Sequence, residues 1–157
     1  MNLKLLIGLA LLASLGTAHA DSLPELQSRC GNNAAVFFAW QSQQDHEARK
    51  PNTRSIVYDY KNQYSESMKG CFIVITTHAE WDEGKYSGSY KADLHRSTTY
   101  MLFDVNAERL LGTYFKERPL TDGNHDSCDF GGVKCSSEAE WRAKVEPYVS
   151  GWKGLTL

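Results

Sequence analysis

The chain lacks the short signatures that would assign a chemistry. It has no C-x-x-C pair, no H-x-x-x-H or H-E-x-x-H helix motif and no G-x-S-x-G turn. The common zinc frameworks and the hydrolase nucleophile elbow are therefore not written in it. No basic stretch stands out, so nucleic acid is not an expected partner. No apolar run reaches the roughly 20 residues that cross a membrane. Repeats and low-complexity segments are also missing, which leaves a single domain to explain.

What is present begins with an export signal. Lys4 supplies a positive start, Leu5 to Leu15 an apolar stretch, and Ala18-His19-Ala20 an A-x-A cleavage site. A signal peptide over residues 1–20 and one exported domain over 21–157 are expected. The protein is then periplasmic or secreted, with no membrane attachment after cleavage. No cysteine stands at the cleavage point to carry a lipid. From Asp21 onward, 16 Lys and Arg face 19 Asp and Glu, a net charge of −3. That excess is too small to imply a cationic partner.

Four cysteines follow the signal: Cys30, Cys71, Cys128 and Cys135. An even count in an exported chain reads as two disulfides, with three possible connectivities. The short, Gly-containing Cys128–Cys135 loop closes easily on itself, which leaves Cys30 for Cys71. The first bridge would then tie an N-terminal helix to a central strand.

The helix is signalled by Ser22-Leu-Pro-Glu25, an N-cap with a capping box. Leu26, Cys30, Ala34, Phe37 and Phe38 follow on one helical face. Gly31-Asn32-Asn33 predicts a weak point there, and Gln41 to Arg54 reads as a loop. Ile56, Tyr58 and Tyr60 alternate with Val57, Asp59 and Lys61, the period of a half-buried strand. Cys71-Phe-Ile-Val-Ile75 has no polar member and predicts a strand buried on both faces. Ser65 to Gly70 bends between the two. Tyr100 to Phe103 and Leu110 to Phe115 predict a further hairpin about an Asn106–Arg109 turn. Pro119 to Gly132 reads as a loop. Ser137-x-x-Glu140 opens a second helix carrying Trp141, Val145, Tyr148 and Val149, which Pro147 should kink or end. The expected fold is α+β: an antiparallel meander of about four strands, flanked by N- and C-terminal helices on one face.

The succession Tyr60-x-Asn62-x-Tyr64, Lys69-Gly-Cys71-Phe72, Leu102-Phe-Asp104-Val105, Gly112-Thr-Tyr114, Cys128, Cys135, Trp141 and Tyr148 resembles a loose group of small exported bacterial proteins of unknown function. That resemblance implies the fold and the disulfide pattern and carries no activity.

Three stretches are candidates for function. The long polar segment 79–95 holds Trp81, Tyr86 and Tyr90 outside any clean period. Rigid aromatics among Ser and Gly make a composition suited to binding. Within it, Ser87-Gly88-Ser89-Tyr90 resembles the loop with which one group of periplasmic lysozyme inhibitors enters the lysozyme cleft. The resemblance implies that Ser87 and Tyr90 would hydrogen-bond catalytic carboxyls and fill sugar subsites. Trp81, Tyr86, Ser87 and Tyr90 are therefore the expected binding residues of a non-enzymatic module, a protein inhibitor or immunity-type factor with a protein partner. Asp122-Gly-Asn124-His-Asp126 has the D-x-N-x-D spacing of a calcium loop. Ser127 replaces its turn glycine and Val133 its bidentate glutamate, so a solvated acidic turn is the competing reading. If it binds, Asp122, Asn124 and Asp126 would hold calcium in a calcium-stabilised structural domain. Finally, His78, Asp82 and His95, with Glu80 and Asp93 nearby, could serve a small hydrolase or metal-dependent enzyme if the sheet brought the histidines together.

Overall fold

A computed structural model describes residues 21–47, 53–82, 94–119 and 125–153. The expected signal peptide lies outside them. Eight elements follow in order. They are α1 (Leu23–Glu47), β1 (Thr53–Ser65), β2 (Gly70–Asp82), β3 (Leu94–Asp104), β4 (Arg109–Pro119), β5 (His125–Phe130), β6 (Val133–Lys134) and α2 (Glu138–Val145). The strands form one antiparallel meander in the order β1-β2-β3-β4-β5-β6.

The α+β class and both disulfides stand, Cys30–Cys71 and Cys128–Cys135. The sheet has six strands, where the sequence predicts about four. Of the extra pair, β5 lies within Pro119 to Gly132, whose Asp, Gly and Asn content reads as loop, and β6 directly follows it. Pairing of Tyr114 with Cys128 and Phe115 with Ser127 draws His125–Phe130 into the sheet. Strand preference is largely a matter of such neighbours. Gly131 and Gly132 then both adopt positive φ, 62° and 81°, a two-residue turn that suits glycine. The Cys128–Cys135 bridge closes this small hairpin.

The helices lie on opposite faces of the sheet, not on one. The alternation of β2 shows it. Cys71, Ile73 and Ile75 pack with Cys30, Ala34 and Phe37 of α1 and with Phe103. Phe72 and Val74 pack with Tyr100, Leu102, Tyr114 and, from the C-terminal region, Trp141, Val145, Val149 and Trp152. Each face of the apolar run Cys71–Ile75 needs a cover, and one helix can supply only one. Trp141 is fully buried and meets Trp152 edge-on at 5.3 Å between centroids.

Both capping signals form. Ser22 N–H donates to Glu25 Oε2 at 2.8 Å. Ser137 Oγ accepts from Glu140 N–H, while the Glu140 carboxylate reaches back to Ser136 N–H at 2.8 Å. The second helix ends at Val145, before Pro147. The first does not break at Gly31-Asn32-Asn33, and it continues through Gln41 to Glu47. Burial of Cys30 and Ala34 on either side of the glycine outweighs its helix penalty of about 1 kcal/mol. Beyond Phe38 the chain stays helical with an i,i+4 contact from Gln41 Nε2 to Asp45.

Two outcomes test this architecture. A Cβ at Gly31 would sit 3.8 Å from Asn62 Nδ2, an ordinary contact. Gly31→Ala should therefore stabilise the domain by about 0.5–1 kcal/mol in urea titration. The bridges span sequence separations of 41 and 7. On loop entropy, Cys30→Ala with Cys71→Ala should cost about 4 kcal/mol, and the Cys128/Cys135 pair about 2.5 kcal/mol. Equal losses in chemical denaturation would contradict a helix-to-core tie.

Candidate functional site

One end of the sheet gathers most of the polar chemistry. There β2 ends, β3 begins, β4 ends and β5 begins. The two faces of this end are separate.

On the α1 face, Trp81 of β2 pairs directly with His95 of β3. Their rings stack at 5.4 Å between centroids, 19° from parallel. His95 Nδ1 lies 2.9 Å from Glu117 Oε1 on β4. The three side chains form a row across three strands, with His95 and Glu117 largely buried at 12% and 22% exposure. Glu117 carries no sequence signal of its own. Its position depends on a bulge: Leu102 pairs with Gly112 and Phe103 with Leu110, so Leu111 is an extra residue. Without it, Arg118 would share the face of His95.

On the α2 face, Arg96 donates to its cross-strand neighbour Glu80 at 2.7 Å. His78 Nδ1 lies 2.9 Å from Thr98 Oγ1. Burial lowers the His78 imidazole below its ordinary value, and the Lys116 charge adds to this while Asp59 opposes it. Lys116 reaches Glu138 of α2 at 3.2 Å, and Arg142 binds the same carboxylate. Burial works to raise the Glu138 carboxyl, but the bonds from Arg142 and Lys116 outweigh it and the net shift is downward. Arg142 also lies over the Trp152 ring at 4.5 Å. Farther out, Asp126 accepts from Tyr114 Oη at 2.7 Å and from both Arg118 Nη atoms. The Arg118 hydrogen bonds hold Asp126 below the usual carboxylate range. Burial, and then Asp126, push the Tyr114 phenol far up.

These placements bear on each expected site. His78 and His95 sit at the same end of the sheet but on opposite faces, because His78 pairs with Thr98 and His95 with Trp81. The two cannot share a substrate or a metal. Asp82 pairs with Leu94 through the backbone at the strand end. Trp81 lies inside β2 and stacks on His95, so strand packing accounts for it, contrary to its expected place in a loop. Tyr86, Ser87, Tyr90 and Asp93 lie outside the described residues. So do Asp122 and Asn124. Asp126 belongs to β5, and its carboxylate is already shared by Tyr114 and Arg118. Among the described residues, no group of three His, Cys, Asp or Glu is arranged to hold a metal ion. Nor is any helix there long and apolar enough to cross a membrane.

Two open grooves lie at the other end of the sheet. One, of about 660 Å³, runs between the start of α1, the β1–β2 turn and Pro147 to Ser150. The other, of about 580 Å³, is lined by Gly112, Phe130 and Tyr148 among others. Neither contains a histidine or a reactive thiol.

No protein family, no curated protein and no solved structure matches this chain.

The His78 shift has a measurable sign. The folded chain takes up a proton at His78 less readily than the unfolded chain, whose value is near 6.5. Below 6.5 the unfolded state therefore binds more protons, and stability falls as the pH drops toward the lower folded value. Melting temperature should decline across pH 7 to 5, and His78→Gln should flatten that decline. An unchanged slope in the variant assigns the loss to other groups.

Proposed function

We propose that this chain is an exported, non-enzymatic binding module, a protein inhibitor or immunity-type factor that engages a protein partner through the segment joining β2 and β3. The observation that carries the reading is the Trp81–His95–Glu117 row. It braces the two strand ends from which the segment departs, and the Glu80–Arg96 pair braces their other face. Binding segments gain affinity when their bases are rigid, because less entropy is lost on contact. Trp81 then acts as part of the brace, and Tyr86, Ser87 and Tyr90 remain the proposed contact residues. The two disulfides favour an oxidising compartment. An enzyme built on His78, Asp82 and His95 draws no support from histidines on opposite faces. In its sharper form, the proposal follows the Ser87-Gly88-Ser89-Tyr90 resemblance, and the partner is a lysozyme.

Capture from periplasmic or host extracts should return a protein partner. Tyr90→Ala should weaken it by about 2 kcal/mol, some 30-fold in Kd, with melting nearly unchanged. Trp81→Ala should lower both melting and affinity. In lysozyme assays the chain should inhibit, and Ser87→Ala with Tyr90→Ala should abolish the effect. No inhibition of any lysozyme type removes the sharper form. Unfolding by Tyr90→Ala would remove the binding reading itself.

A further inference from the structure

The two edges of the sheet are unequal. One is β6, only 2 residues long. The other is β1, with 13 residues and no proline. A long bare edge offers unpaired backbone groups to another strand, and native proteins usually blunt it.

The phase of that edge can be read from two hydrogen bonds. Tyr64 N–H donates away from the sheet, to Gln27 Oε1 of α1, at 2.8 Å. The carbonyl of its partner Cys71 accepts instead from Val105 N–H, on the β3 side, at 2.9 Å. Tyr64 is thus a residue whose backbone points outward. In an antiparallel strand that property recurs every second residue. Asn62, Tyr60 and Tyr58 therefore present their N–H and C=O groups at the edge. Among the described residues, no backbone hydrogen bond beyond the β1–β2 ladder reaches them. Gln27 marks where the bare stretch stops.

We infer that this edge pairs with β1 of a second copy of the chain, antiparallel, about a two-fold axis at Tyr60. Outward-pointing residues must face outward-pointing residues, which restricts the centre of symmetry to positions along the strand. A centre at Asp59 sets Asp59 against itself, and a centre at Lys61 sets Lys61 against itself. Like charges directly opposite are destabilising. A centre at Tyr60 sets Asp59 opposite Lys61 twice, on the exposed face of the strand. It also pairs Tyr58 with Asn62 through the backbone and lays Val57, 46% exposed, against Gln63. Lys61 Nζ already donates to Ser150 O at 2.7 Å, but an ammonium has two further hydrogens for the carboxylate.

The other face leaves room for the match. There Phe38 of α1 packs on Tyr60 at 4.4 Å between centroids. Helix α1 contacts both β1 and β2. Strands lie about 4.8 Å apart, so two such helices would run about 10 Å apart across the axis, an ordinary packing distance. Gly31 and Ala35, on the same side as Phe38, are small enough for that approach. This pairing is independent of the segment between β2 and β3, and the dimer would carry two such segments.

Sedimentation of the chain from Asp21 onward should give twice the chain mass at tens to hundreds of micromolar. Asp59→Lys alone and Lys61→Asp alone should each shift the population toward monomer by at least tenfold in dissociation constant. The double variant, which restores opposite charges, should recover the dimer. Circular dichroism of each variant confirms that it is folded. Independently, amide exchange of Tyr58, Tyr60 and Asn62 should slow at high concentration, while Asp59 and Lys61 stay protected throughout. A monomer at all concentrations overturns the inference. So does a dimer indifferent to both single reversals, or one in which the three edge amides exchange freely.

Discussion

The structure depends on a strand that must be covered twice. Cys71 to Thr76 is buried on both faces. A β-strand sends alternate side chains to opposite sides, so a run without a single charged residue leaves apolar surface on each. The first face is covered by α1 and held there by the Cys30–Cys71 bridge. The second is covered by α2 and the segment after it, through Trp141, Val145, Val149 and Trp152. The meander carries this arrangement outward from β2. Its polar pairs gather at the far end of the sheet, where Glu138 and Arg142 of α2 join those of the second face.

That end shows how strand register sorts chemistry. Three positions along β3 separate Thr98 from His95, and an odd step changes the face. His78, held by Thr98, is thereby kept in a neutral-favouring environment beside Lys116. His95 is set among Trp81 and Glu117 on the other side. One fold thus divides two histidines that a linear reading would pool. Each carries out a packing task in its own row, and those rows stiffen the hairpin end that the functional proposal uses.

Much of the framework was legible from residue order alone. The capping boxes at Ser22 and Ser137, the apolar run of β2, the turns after Ser65 and Asp104, and the short Cys128–Cys135 bridge all rest on local chemistry, and the Cys30–Cys71 bridge, with a sequence separation of 41, follows from them by elimination. Such signals act over three or four residues or through the closure of a short loop, so no knowledge of the fold is needed. Helix α1 was legible in its start and not in its length, since the cost of Gly31 is offset only by burial against the sheet. β5 and β6 were not legible, because their strand character comes from pairing with β4. Trp81 was misplaced for the same reason: its partner, His95, is a strand away.

The sequence by itself determined the α+β class, the cysteine pairing, the doubly buried strand and the caps that start both helices. Periodicity, loop length and capping are short-range, and each is complete within its own segment. Only the tertiary structure decided the number of strands, the opposite placement of the helices and the membership of the polar rows. A single bulge at Leu111 selects Glu117, and not Arg118, as the neighbour of His95. Nothing in β4 alone encodes that choice, because it is a property of how two strands are phased against each other.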